Sequence, residues 1–104
     1  MIEGYQDNNQ ESLEYLQNAL RNFVYNYGPN HINNSYIYQR IGICYRCSNE
    51  DEKGLENLLK AKEISDSSGE KDINNLIELY RDIGRQYYFM NQLNKADEYY
   101  YQTK

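Results

Sequence analysis

From residue 10 onward, apolar side chains recur at spacings of three and four. Leu13, Leu16, Leu20, Phe23, Val24 and Tyr27 share one helix face. Gly28-Pro29 predicts the stop of this first helix near Tyr27. Residues 1–9 are polar, contain Asn8-Asn9 and show no period, so they read as a frayed tail ahead of a single domain spanning 10–104. The loop Gly28-Pro29-Asn30-His31 leads into a second helix from about Asn34 to Cys47, with Ile37, Tyr38, Ile41, Cys44 and Tyr45 inward. A polar break at 48–52 follows, in which Ser48 or Asn49 caps a third helix from about Asp51 to Ser65. That helix carries Leu55, Leu58, Leu59 and Ala61 on one side, and Ser65-Asp66-Ser67-Ser68-Gly69 is the clearest turn in the chain. The fourth helix, about Lys71 to Met90, turns Ile73, Leu76, Ile77, Tyr80, Ile83, Tyr87 and Met90 inward. Asn91-Gln92 separates it from a fifth, Leu93 to Lys104. No strand-like alternation competes, and the loops are short, so the pattern predicts an all-α stack of about five antiparallel helices.

Within the second helix, Tyr38-x-x-Ile41-Gly42-x-x-Tyr45 returns 42 residues later as Tyr80-x-x-Ile83-Gly84-x-x-Tyr87. Aligning 35–62 with 77–104 gives eight identities in 28 positions, among them Asn49 with Asn91, Lys53 with Lys95 and Glu56 with Glu98. A glycine inside a helix costs roughly 1 kcal/mol against alanine, so its return at the same repeat position calls for a shared cause, the close approach of a neighbouring helix. The register extends backwards: Ser12, Leu16 and Ala19 precede Gly54, Leu58 and Ala61 by 42 residues, and these precede Ala96, Tyr100 and Thr103 by 42. The first helix is therefore the second member of an incomplete repeat, and the chain holds roughly two and a half repeats. Tyr38, Ile41, Gly42, Tyr45, Gly54, Leu58, Ala61, Tyr80, Ile83, Gly84, Tyr87 and Ala96 are the expected packing positions. So few repeats lie near the minimum for a stable stack, and open ends invite self-association or docking into a larger assembly.

Over residues 11–104 the chain resembles the tetratricopeptide repeat family, whose W-x2-L-G-x2-Y pattern it matches with Tyr38 in place of Trp and Ile41 in place of Leu. The 42-residue period exceeds the family's usual 34 and is similar to the long repeats of kinesin light chains, as is the Gly28-Pro29-Asn30-His31 run. Gly54 and Thr103 stand where the family usually has alanine. The resemblance implies a right-handed α-α superhelix, a solenoid in which first helices line a concave groove. It also implies a non-catalytic module that binds a protein or peptide partner there, or, alternatively, a structural subunit or homo-oligomer docked through its uncapped ends. On this reading the groove is lined by Tyr36, Gln39, Arg40, Ile43 and Arg46 in one helix and by Glu78, Arg81, Asp82, Arg85 and Tyr88 in the next. Arginine presents a fork that suits carboxylates, and tyrosine adds flat contact area, so an acidic or carboxyl-terminal peptide is the expected partner. The bland reading of these arginines is a solvated face, or exposed pairs with Glu50, Glu78 or Asp82 worth about 0–1 kcal/mol each. The family's Lys and Asn clamp for chaperone tails is not reproduced, since Gln39 and Ile43 stand in its place.

Composition narrows the function classes. Aromatics reach 14% of 104 residues, and 13 of them are tyrosines, so tyrosine must supply much of the buried area. A net charge of −5 argues against the phosphate attraction on which nucleic-acid binders depend. No apolar run approaches the ~18 residues that span a bilayer, and the amino terminus has no targeting pattern. An intracellular, cytoplasmic protein without membrane insertion is the expectation. The chain also reads as a piece of a longer repeat protein, since it opens on an unpaired second helix.

The remaining candidates for chemistry carry little. Cys44 and Cys47 form one Cys-x-x-Cys inside a helix, and with His31 as the single histidine a four-ligand zinc site cannot be completed. They read as small, partly buried helix residues. His31 follows a Pro-Asn turn and reads as a loop-capping residue. Glu50-Asp51-Glu52 and Asp97-Glu98 suit helix starts and form no pair poised for acid-base work. No glycine-rich phosphate loop or His-Glu-x-x-His occurs, so neither enzyme activity, nor a metal, nor a cofactor is expected. Tyr99-Tyr100-Tyr101 point about 100° apart, so at least one is exposed unless something covers it.

Overall fold

The computed structural model describes the backbone of residues 2–69 and 72–102, and side chains within those ranges from Gln10 onward. Five helices follow in order: α1 (Ile2–Tyr27), α2 (Ile32–Cys47), α3 (Asp51–Ser67), α4 (Ile73–Phe89) and α5 (Leu93–Tyr101). Helix is the regular structure throughout the described residues. The residues read as a frayed tail carry helical backbone from Ile2, because nothing between them and the periodic segment breaks the ladder. Helix α3 continues through Ser67, which moves the turn to Ser68-Gly69. The expected starting residue of the fourth helix, Lys71, and the repeat position Thr103 lie outside the described residues.

Local chemistry sets the boundaries. Gly28 closes α1 with φ at 89°, and its amide reaches back to the Val24 carbonyl at 2.9 Å. His31 caps α2, its Nδ1 accepting from the Asn33 amide at 3.1 Å, while buried Asn34 donates to the carbonyls of Gly28 and Pro29. Asp72 does the same for α4, accepting from the Asn75 amide at 3.2 Å.

The α2 and α4 ends are built alike. Asn49 and Asn91 hold the left-handed conformation with φ of 64° and 61°. In both, the residue after the asparagine donates back five positions, Glu50 to Tyr45 and Gln92 to Tyr87, each at 2.9 Å. The asparagine amides reach Arg46 and Tyr88 at 3.0 Å. This is a Schellman closure, and asparagine is the residue other than glycine that most readily enters it. Asn49 thus ends α2 and does not cap α3, whose N-cap is Glu50 without a side-chain hydrogen bond.

Packing follows the same register. Each helix packs on its chain neighbour, and α2 also approaches α4, whereas the backbones of α1, α3 and α5 do not approach one another among the described residues. The row therefore has α2 and α4 on its inner side and α1, α3 and α5 splayed along its back. Gly42 meets α3 so closely that a Cβ there would lie 2.8 Å from Leu58 Cγ and 2.9 Å from the Gly54 carbonyl oxygen. Gly84 meets the equivalent residues of α5, Tyr100 at 3.2 Å and the Ala96 carbonyl at 3.3 Å. Leu58, Ala61, Leu79, Ile83, Tyr87 and Ala96 form the core cluster. Ser35 fastens α2 to α3 through the Ala61 carbonyl at 2.8 Å. The repeated tyrosines carry repeated lysines: Lys53 Nζ lies 5.7 Å from the Tyr45 ring centre and Lys95 Nζ lies 5.5 Å from that of Tyr87.

Candidate functional site

Where α2 and α4 touch, a groove of about 430 Å³ opens on the inner side of the row. Tyr36, Gln39, Arg40, Ile43 and Arg46 form one wall, and Asn75, Glu78, Asp82 and Arg85 the other. Its floor is tied together by Gln39, which is buried and donates through Nε2 to Asp82 Oδ2 at 2.9 Å. Gln39 is therefore engaged between helices and is a strut of the groove. At one end, Tyr36 donates to Asp72 Oδ2 at 3.4 Å.

Arg81 and Tyr88 are exposed but outside this lining. The reason lies in the repeat. A groove between two successive helices uses the downstream edge of one and the upstream edge of the next. Arg81 and Tyr88 stand 42 residues after Gln39 and Arg46, so in the repeat they hold the downstream edge of α4, beside the face that lines the groove. Asn75, which faces the groove from the first turn of α4, follows from the same geometry once both edges are considered.

The charges in the groove are unevenly matched. Arg40, Arg46 and Arg85 face Glu78 and Asp82. Among the described residues the salt bridges join Lys53 to Glu50 at 3.4 Å and Lys62 to Asp66 at 2.8 Å, both on the back of the row, and neither engages an arginine of the groove. Arg46 Nη1 is buried and has no hydrogen-bond partner among the described residues. Leaving such a donor unsatisfied costs roughly 1–3 kcal/mol, more when it is charged.

Outside the groove, the other candidates sit apart. Cys44 is half-buried and Cys47 exposed, both with free thiols, and burial pushes the Cys44 thiol up from its ordinary value, with Cys47 adding to the shift and Arg40 opposing it. His31 packs against Tyr27 with ring centres 5.1 Å apart. Among the described residues no three His, Cys, Asp or Glu side chains gather in a metal-binding arrangement, and no helix is long and apolar enough to cross a membrane. Tyr99 and Tyr100 are half-buried, and Tyr101 is exposed. Compared with known proteins, the chain matches no family model, no curated protein and no solved structure.

Proposed function

We propose that the chain is a non-catalytic interaction module of tetratricopeptide type, which takes an acidic or carboxyl-terminal peptide into the groove between α2 and α4. The observation that carries this reading is the trio of arginines lining the groove, Arg40, Arg46 and Arg85, none of which forms a salt bridge among the described residues. Carboxylate is the group whose paired oxygens match the guanidinium fork. Tyr36 and Ile43 add contact area beside it.

A fluorescein-labelled hexaglutamate with a free carboxyl terminus serves as the probe, followed by anisotropy. Changing Arg46→Gln together with Arg85→Gln weakens binding by about tenfold or more, since hydrogen bonds to charged groups contribute ~1.5–3 kcal/mol and ~1.4 kcal/mol is a factor of ten. Arg81→Gln, outside the groove, changes it by less than about twofold. Equal affinity of the wild-type protein and the double variant would remove the reading.

A second reading, a structural subunit docked through its helical ends, draws on Phe89, Leu93 and Tyr101, which are 58%, 51% and 74% exposed on the last helix pair. Sedimentation at micromolar concentration separates the two: self-association abolished by Phe89→Ser with Tyr101→Ser supports the second, and a plain monomer counts against it.

A further inference from the structure

The charged residues of the groove between α2 and α4 are sorted along its length. Tyr36 donates to Asp72 at the start of α4 and Gln39 to Asp82 near its middle, so the two helices run in parallel and their first turns share one end of the groove. From that end, α4 presents Glu78, then Asp82, then Arg85, and α2 presents Arg40 before Arg46. Glu78 therefore lies toward one end and Arg46 and Arg85 toward the other, with Arg40 and Asp82 between them. Glu78 and Arg85 are seven residues apart, two turns or ~10.5 Å of helix, too far to pair with each other. Neither forms a salt bridge among the described residues, and Arg81, one turn on from Glu78 at the neighbouring edge, does not pair with it. Helix dipoles do not account for this order, since their pull fades beyond the terminal turns and only Arg46 among these five residues lies in one. Both walls are helices within the row, so the groove does not owe its opening to an end of the sequence.

The geometry points to a partner peptide whose charge changes sign along its length: a lysine or arginine beside Glu78 and, three residues later, a free carboxyl terminus held by Arg46 and Arg85. This rests on the reading of the groove as a carboxylate site and narrows its partner. Three residues of extended chain cover roughly 10 Å, which matches the rise from Glu78 to Arg85. The place of the cation follows from Glu78, which is exposed in the groove and repels a peptide that is acidic throughout. Asp82 adds to that repulsion at mid-groove, though Gln39 engages one of its oxygens and Arg40 lines the same stretch. One peptide spanning both ends compensates charges that the protein cannot bring together itself. A uniform polyanion compensates the arginine end alone.

The probes are fluorescein-labelled hexaglutamate and two relatives in which lysine replaces either the third or the fifth glutamate, all with free carboxyl termini, followed by anisotropy on the full chain. Lysine at the third place lies three residues before the last and meets Glu78, whereas at the fifth it is pushed among the arginines. The first relative binds at least about threefold tighter than hexaglutamate although it carries less negative charge, and the second binds more weakly than hexaglutamate. Protein carrying Glu78→Lys, a change at an exposed position that leaves helix content unaltered, reverses the order of the first relative and hexaglutamate. Glu78→Gln narrows the difference to less than about twofold. Equal binding of the two relatives, or the same order in wild-type and Glu78→Lys protein, overturns the proposal, and the carboxylate reading then stands if Arg46→Gln with Arg85→Gln still weakens hexaglutamate. Binding of none of the three peptides overturns both.

Discussion

Gly42 and Gly84 hold the same place in the repeat but not the same space. A Cβ on Gly42 would press into the Gly54 carbonyl at 2.9 Å, a backbone atom that moves only with α3. A Cβ on Gly84 would meet mainly the half-buried ring of Tyr100 at 3.2 Å, a side chain able to tilt. Replacing either glycine gains about 1 kcal/mol of helix propensity, whereas forced overpacking costs typically ~1–3 kcal/mol. Gly42→Ala therefore loses about 1 kcal/mol or more in urea unfolding, and Gly84→Ala stays within roughly 0.5 kcal/mol of the parent. Asn49 and Asn91 make a matched pair. Either one changed to alanine loses about 1 kcal/mol at its left-handed site, and changed to glycine loses nothing. The thiols give a chemical check: exposed Cys47 reacts with a disulfide reagent at pH 8 before Cys44, whose thiol burial has pushed up.

At the scale of elements, the identities between the repeats are explained by local structure. Tyr45 and Tyr87, Lys53 and Lys95, and Asn49 and Asn91 each recur because one helix ending and one cation-aromatic contact recur. That is why five helices and their packing glycines were legible from periodicity and repetition. The buried polar residues were not. Asn34, Ser35 and Gln86 break the apolar period yet are fully buried: Asn34 Nδ2 donates to loop carbonyls, Ser35 Oγ to the Ala61 carbonyl and Gln86 Nε2 to Asp51, while Asn34 Oδ1 and Gln86 Oε1 have no partner among the described residues. Ile73 shows the reverse, continuing the period of α4 while 64% exposed at its first turn. The shortest helix, α5, is held by tyrosines, with Tyr99 stacked 5.7 Å from Tyr87 and edge-on at 5.9 Å to Tyr80. Burial raises the Tyr99 hydroxyl above its ordinary 10.0, with Tyr87 adding to the effect, and the hydrogen bond to Asp66 raises Lys62 above 10.5. Both groups hold their protons more tightly folded than unfolded, so their contribution is intact below pH 10 and lost as pH rises past it. Urea midpoints fall above pH 10, and Tyr99→Phe makes that fall shallower.

The whole molecule is a slab of 38 × 36 × 19 Å, about two helices thick. Its accessible surface, 7049 Å², exceeds the roughly 6,200 Å² of a compact monomer of this mass, as an open row of helices must. A groove lies on each side of α2, one toward α4 and one toward α1. Candidate positions along each first helix were readable from the repeat, but which edge faces which neighbour was not, because a groove joins non-equivalent edges of successive helices. Gln39 consequently became a strut, Arg81 and Tyr88 moved to the downstream edge, and Asn75 joined the site. The central claim is that the inner face of α2 and α4 receives a carboxylate-bearing chain. Amide chemical-shift mapping by NMR during a hexaglutamate titration tests it most directly. Saturable shifts are expected at Tyr36, Ile43, Arg46, Asn75, Glu78 and Arg85, with the backs of α3 and α5 unmoved. Shifts centred on those backs, or none at millimolar peptide, would contradict it.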